Sequence, residues 1–324
     1  MIHHDGVAVL RGHFPAVPNP LTWWLLLVMG TITFGLGLAQ GFTLKLGTLA
    51  NALVLTPGLL AMALFYTRWR LNPKISITFM LLVFVLAKAL VLAPMSYVAT
   101  AWNLPLVDDY FAAFDAALGF DWVAVHKFTA SIHWFATVSK FAYLTCGYVM
   151  FLAWAVLVWT GQHERLSVML LALLTSGFVT VVLSGLIPGE AAYAYYGIKP
   201  EQYGYLGTVP GQVFVHDFYA LRDGSLRMID MGSLEGICTF PSFHAVVAVI
   251  TGWAFAATRW LRWPAGIFSA FVLFVTLPVG GHYLADVVGG AAIAALCIAL
   301  AWRYELRGQR QHASALMPLA PEGT

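Results

Sequence analysis

The sequence predicts an all-α polytopic membrane protein, a bundle of about eight transmembrane helices, and three observations carry that prediction. Of the 324 residues, 60% are hydrophobic and only 10% are charged. The mean hydropathy of +0.79 lies far above that of soluble globular chains. The apolar residues are also gathered into runs of roughly 20, the length an α-helix needs to cross a bilayer. Eight such runs occur, at 21–40, 48–66, 76–97, 141–159, 166–187, 240–258, 264–281 and 283–302.

Each run adds something specific. The first begins only at Leu21, is full length and has no small-residue cleavage pattern behind it, so it reads as a span and not a signal peptide. With the second it forms an N-terminal pair over residues 1–75. The remaining six form a core over 76–302, and residues 303–324 form a cytoplasmic tail. The third run carries Lys88 near its middle, where a charge must face the bundle, find a partner or lose its proton. Lys88 is therefore a candidate substrate contact, the alternative being a structural, snorkelling lysine. Two long connections, 98–140 and 188–239, interrupt the core. In the first, "DDYFAAFDAALGFDW" (108–122) alternates acidic and aromatic residues at helical spacing, as helices lying along the headgroups do, or as a structural lid would. The seventh and eighth runs nearly touch at Gly280-Gly281, which predicts a hairpin with a very tight turn. Cys146 and Cys297 fall inside runs and Cys238 in a connection, so no disulfide framework is expected.

Basic residues orient the bundle. Ten lie on one side: Arg11, Arg68, Arg70, Lys74, Arg165, Arg259, Arg262, Arg303, Arg307 and Arg310. Six lie on the other, Lys45, Lys127, Lys140, Lys199, Arg222 and Arg227, mostly in long connections where the positive-inside rule counts for little. Both termini are therefore expected in the cytoplasm, and the chain in a plasma (inner) membrane. Eight crossings then put the start of the sixth run, the end of the seventh and the start of the eighth on the extracytoplasmic face. His244 and His282 meet on that face, although the charge count did not use them. The basic residues track topology, and no nucleic-acid signature is present. Nothing specifies an oligomeric state.

The chemistry sits in two short stretches. In "GGHYLADVVGG" (280–290), His282 and Asp286 are four residues apart, on one face of a helix. An ionised Asp that accepts from one imidazole nitrogen fixes the tautomer and leaves the other nitrogen free as nucleophile or base. The amides at such a helix start, with Gly280 and Gly281 allowing close approach, attract an anion such as phosphate. "TFPSFHAVVAVITGWAF" (239–255) repeats the arrangement: Pro241 or Ser242 begins a helix, and His244 lies in its first turn. Two histidines at two helix starts suit an acid and a nucleophile flanking a phosphoryl group. Either alone could be a hydrogen-bonded structural group, but ionisable residues converging at one depth in a membrane are expensive and tend to be functional. A zinc site is the competing use, yet no third His or Cys shares these helix ends with suitable spacing, so no metal is expected.

"FPSFH" and "GGHYLAD" resemble the second and third motifs of the type 2 phosphatidic acid phosphatase superfamily. They are most similar to its branch with inositol phosphorylceramide synthase, where Pro-Ser-x-His is followed by His-Tyr-x-x-Asp. The resemblance covers roughly residues 170–300, with the first two spans as additions to a six-helix core. It implies that His282 is the nucleophile forming a phosphohistidine, Asp286 its orienting partner and His244 the acid for the leaving oxygen, with Ser242 and the Gly281 backbone on phosphate oxygens and no cofactor. The implied activity is metal-independent transfer from a lipid phosphate ester to a lipid alcohol. A phosphatase using water, and a non-catalytic lipid transporter or binding protein, are the other readings.

The departures from the family pattern matter. The pattern's first motif holds a Lys and an Arg, and "SGLIPGEAAYAYYG" (184–197) contains neither; its third motif begins Ser-Arg where this chain has Val275-Thr276. Phosphoryl transfer relies on positive charge against the phosphate oxygens, so a substitute is expected. "LRDGSLR" (221–227) offers Arg222 and Arg227 for it, with pairing to Asp223 or Asp230 as the alternative. A phosphodiester, with one negative charge, also needs a thinner clamp than a monoester, which favours headgroup transfer.

Overall fold

The computed structural model describes residues 17–232, 234 and 236–316. Arg11 and the end of the expected tail, 317–324, lie outside the described residues. The chain forms an all-α bundle of long helices: α1 (Pro20–Ala39), α2 (Leu46–Arg68), α3 (Pro73–Thr100), the short α4 (Asp108–Ala117) and α5 (Trp122–Ser131), α6 (His133–Trp159), α7 (His163–Leu186), the short α8 (Val215–Asp223), α9 (Phe243–Phe255), α10 (Arg262–Gly280) and α11 (Leu284–Leu316). A helix stands at each of the eight apolar runs. Six of them, α1, α3, α6, α7, α10 and α11, are long and apolar enough to cross a membrane, whereas the apolar stretches Val54–Arg68 and Phe243–Phe255 are shorter. The chain is an integral membrane protein.

Local chemistry sets several of the helix starts. Asn19 accepts a hydrogen bond from the Thr22 amide ahead of α1, and Asn72 one from the Ile75 amide ahead of α3. In both cases proline follows the cap, where its missing N–H costs nothing and its fixed φ suits the first turn. α7 is the central post. Of its apolar window 72% is buried, against 33–44% in the other long spans, and α3, α9 and α11 pack on it. α9 is in turn enclosed by α6, α7, α10 and α11, so a residue in its first turn faces the middle of the bundle.

The first connection is shorter than expected, because α6 begins at His133 and runs through Lys140. Lys140 thus belongs to a bundle wall and not to a loop. The second connection is pinned by a two-stranded parallel pairing of β1 (Thr43–Leu44) with β2 (Met228–Ile229) and by the Lys45–Asp230 ion pair at 2.8 Å. Both connections fold over one end of the bundle. The Val107 amide donates to the Pro188 carbonyl (3.0 Å), Thr239 Oγ1 to the Gly189 carbonyl (2.7 Å), and the Ala192 amide to the Gly281 carbonyl (2.9 Å).

α4 is a helix, as its spacing implies, but two of its three acidic residues face inward, and only Asp109 is exposed. Asp108 and Asp115 are buried, while Tyr110 and Phe114 are exposed. The reason is the start of α11, whose orphan amides need acceptors. Asp115 supplies them, accepting from the Leu284 amide (3.0 Å) and the Ala285 amide (3.2 Å).

Candidate active site

The α10–α11 corner places His282. Gly281 closes α10 in the left-handed region at φ 70°, a conformation that a side chain disfavours. A Cβ there would also lie 2.8 Å from the Tyr193 ring. The close approach these glycines permit is therefore to protein: a Cβ on Gly280 would meet the Tyr143 ring at 2.9 Å. The corner is held from behind. Trp122 Nε1 donates to the His282 carbonyl (3.0 Å), and the Tyr193 hydroxyl donates to the Pro278 carbonyl.

His282 Nδ1 lies 3.1 Å from Asp286 Oδ2, and the same oxygen accepts from the Tyr283 amide at 3.0 Å. Both side chains are buried, at 6% and 0% exposure. An ionised Asp286 can only accept, and in that state Nδ1 carries the proton and Nε2 keeps its lone pair. Burial lowers the His282 pKa to about 4, partly opposed by a hydrogen bond with the Thr239 main chain, which keeps the ring neutral at neutral pH. Asp286 Oδ1 is buried with no hydrogen-bond partner among the described residues.

Further carboxylates stand behind this pair. Asp108 accepts from the Tyr283 hydroxyl (2.9 Å) and from the Glu190 amide (3.1 Å). Burial raises the pKa of Asp108 and of Asp115, with their hydrogen bonds acting the other way. The amides at the α11 start are thus taken by Asp115 and Asp286, and the anion site expected there is already filled by the protein's own carboxylates.

The second helix start is different. Ser242 caps α9 by accepting from the Ala245 amide (3.4 Å), and its own amide donates to the Asp286 carbonyl (3.0 Å), which ties the two motifs together. The next two amides, of Phe243 and His244, have no protein acceptor among the described residues. The His244 ring stacks on Tyr143 with centroids 3.9 Å apart and planes at 17°.

His244 and His282 open on one cavity of about 770 Å³, walled by α3, α6, α7 and α9 and roofed by residues 208–214 and 236–239. Its lining is mostly apolar. Its titratable groups are His244, His282, Tyr143, Cys238, Lys88 and Lys140, with no Asp or Glu among the described residues.

The structure brings His244 and His282 together, with Asp286 in support and Lys88 on the same wall. It does not bring the other expected phosphate ligands there. Ser242 is fully buried and its hydroxyl is used as a helix cap. The Gly281 carbonyl receives Ala192, and the residue lies off the lining. Arg222 donates to the Leu104 carbonyl (2.7 Å) and stacks over Phe218, and Arg227 donates to the Leu221 and Leu226 carbonyls (2.7 and 2.9 Å) beside Phe42. Neither arginine lines the cavity: Arg222 is held by a carbonyl of the first connection and Arg227 by carbonyls of its own. Sequence reasoning missed Tyr143 and Lys140. Their signal was a three-residue spacing on one face of α6, visible only once the helix is extended back past residue 141.

A family model described as the PAP2 superfamily matches residues 109–300, more than half of the chain. The chain belongs to that superfamily, a family of phosphatases and phosphotransferases. No curated protein and no solved structure matches it.

Proposed function

We propose that this PAP2 superfamily member is a membrane phosphotransferase that moves the phosphorylated headgroup of a lipid phosphate ester to a second alcohol. The reaction is metal-independent, proceeds through a phosphohistidine on His282, and occurs at the extracytoplasmic end of an eight-span bundle. One observation carries the reading: buried His282 and half-buried His244 share a cavity with no carboxylate among the described lining residues, and His282 is held from behind by Asp286.

The chemistry balances on these side chains. His282 Nε2 attacks phosphorus and the N–P bond forms. The ester P–O bond breaks, and His244 passes its proton to the departing alkoxide. The acceptor hydroxyl then attacks the phosphohistidine, His244 takes its proton, and the N–P bond breaks. Tyr143 stacks on His244 and fixes the plane of its ring. Asp286 offsets the positive charge that develops on His282 during attack. The cavity is near the upper end of small-molecule pocket volumes, roughly 300–1,000 Å³, and so has room for an acceptor beside the phosphate.

The test is label trapping. Detergent-solubilised protein, with EDTA present, is incubated with lipid phosphodiesters labelled on phosphorus and quenched in base. We expect acid-labile, base-stable label on His282, its loss in His282→Ala, and transfer to an added lipid alcohol. Undiminished turnover in His282→Ala, or strict dependence on added metal, overturns the reading. Release of free phosphate alone makes water the acceptor and the protein a phosphatase.

A further inference from the structure

The family's cationic clamp is missing from the sequence, and the two arginines expected to replace it are engaged elsewhere. Two other cations occupy the cavity. Lys88, from the middle of α3, places its ammonium 5.6 Å from the centroid of the Phe243 ring, and no acceptor or carboxylate partner is found for it among the described residues. Lys140, from α6, donates to the Leu206 carbonyl (2.8 Å) and the Thr208 carbonyl (3.3 Å) in the cavity roof. Both flank His244 from different walls: Phe243 is its chain neighbour, and Tyr143, one helical turn after Lys140, stacks on its ring.

We propose that Lys88 and Lys140 form the anion clamp of this site, each contacting an oxygen of a tetrahedral phosphate or phosphonate group held between His244 and His282. The proposal rests on the assignment of this cavity as the phosphoryl-transfer site. The argument is one of missing counter-charge. An ammonium on a largely apolar, enclosed wall is costly unless something offsets it. Every buried carboxylate of this end, Asp108, Asp115 and Asp286, faces the opposite side of His282 and is engaged there. The offset must arrive with the ligand, together with acceptors for the unclaimed Phe243 and His244 amides. Lysine also suits the role left open by the departures. Two separate point charges approach two oxygens from two helices, where an arginine fork would demand one planar approach. Lys140 keeps its charge satisfied on carbonyls until an anion competes for it.

Binding, measured apart from turnover, tests this. His282→Ala protein in detergent is titrated with dodecylphosphonate, with dodecanol as the uncharged control and inorganic phosphate as competitor. Adding Lys88→Met or Lys140→Met is expected to weaken dodecylphosphonate at least about tenfold, the worth of one hydrogen bond to a charged group. Dodecanol affinity and the melting temperature should stay unchanged, and Lys140→Arg should retain most of the phosphonate affinity. Competition by inorganic phosphate, lost in the lysine variants, marks a site for the tetrahedral anion itself. Lysine dependence without such competition marks a site that takes the anion only on a lipid chain. Phosphonate affinity unchanged within about twofold in both Met variants overturns the clamp, as does an equal loss of dodecanol. Because this background cannot form a phosphohistidine, such a failure leaves the label-trapping result standing, and a failure of trapping leaves the binding result to be read by itself.

Discussion

The two faces of His282 are built from opposite materials. In front, towards the cavity, lie His244, Lys88 and Lys140 and no described carboxylate. Behind it, Asp286, Asp115 and Asp108 are buried within one hydrogen-bonded array that takes up the amides of Tyr283, Leu284 and Ala285 and the hydroxyl of Tyr283. A single residue number divides them. The lesson concerns helix starts. Both motifs begin helices, yet the α11 start has its positive end answered by the protein, while the α9 start leaves two amides open. On the proposed reading, an incoming phosphate is repelled by the first region and attracted by the second, and the imbalance would aim its phosphorus at His282 from one side only.

Asp286→Asn breaks the comparison most severely. An amide can still accept through its oxygen, but it loses the charge that offsets the imidazolium and can present its NH₂ to Nδ1, which imposes the wrong tautomer. By analogy with a triad carboxylate, turnover should fall about a thousandfold or more, with substrate affinity little changed; kcat and KM measured separately check this. His244→Ala comes next. Losing a general acid costs roughly a hundredfold or more with an alkyl leaving group. The loss should shrink towards nothing with a 4-nitrophenyl phosphodiester, whose leaving group needs no proton. Equal losses on both substrates would move His244 from acid to mere packing.

How much of this was legible follows from where each residue sits in the chain. His282 and Asp286 could be paired from sequence, because an i,i+4 spacing at a helix start is local and a buried i,i+4 pair is what stands there. His244 was legible as a histidine in the first turn of a helix, and each of the eight apolar runs corresponds to a helix, although the sixth run, read over 240–258, holds one of only 13 residues. The rest required tertiary information. Lys88 was named as a candidate because a mid-span charge must face the bundle, but Lys140 and Tyr143 were not, since they come from a helix far in sequence from either motif and periodicity cannot say which wall a side chain faces. The periodicity of the 108–122 stretch predicted a helix but not which carboxylates it buries: Asp109 stays exposed, while Asp115 turns inward because the α11 amides need acceptors. Arg222 and Arg227 were plausible by proximity in sequence, but proximity carries no information about the carbonyls that hold them, one of them in the other connection.

Asp115 tests the rear face more gently. It touches no substrate-facing atom, only the Leu284 and Ala285 amides, so Asp115→Ala removes a helix cap worth about 1 kcal/mol. The lost cap frees the α11 start to drift from beneath His282. We expect a lowered melting temperature and a drop in kcat of roughly tenfold, the scale on which about 1.4 kcal/mol is felt, with KM unmoved. A near-normal rate in a destabilised protein would show that Asp286 alone orients His282.

The smallest expected effect is the most decisive for the division between front and back. Arg222 is bound to the Leu104 carbonyl and lies in the field of Asp108 and Glu190, on the carboxylate side. Arg227 is bound to the carbonyls of Leu221 and Leu226, next to the β1–β2 pairing. Arg227→Gln should therefore cost about 1 kcal/mol of stability through lost hydrogen bonds, and both Arg→Gln variants should keep turnover within about threefold of the parent, because a charge engaged outside the cavity contributes little to a phosphorus inside it. A loss of a hundredfold or more in Arg222→Gln, at unchanged melting temperature, would mean that the phosphate oxygens reach past His282 to the rear. The carboxylates would then face the substrate, and the one-sided approach inferred from the cavity lining could not hold.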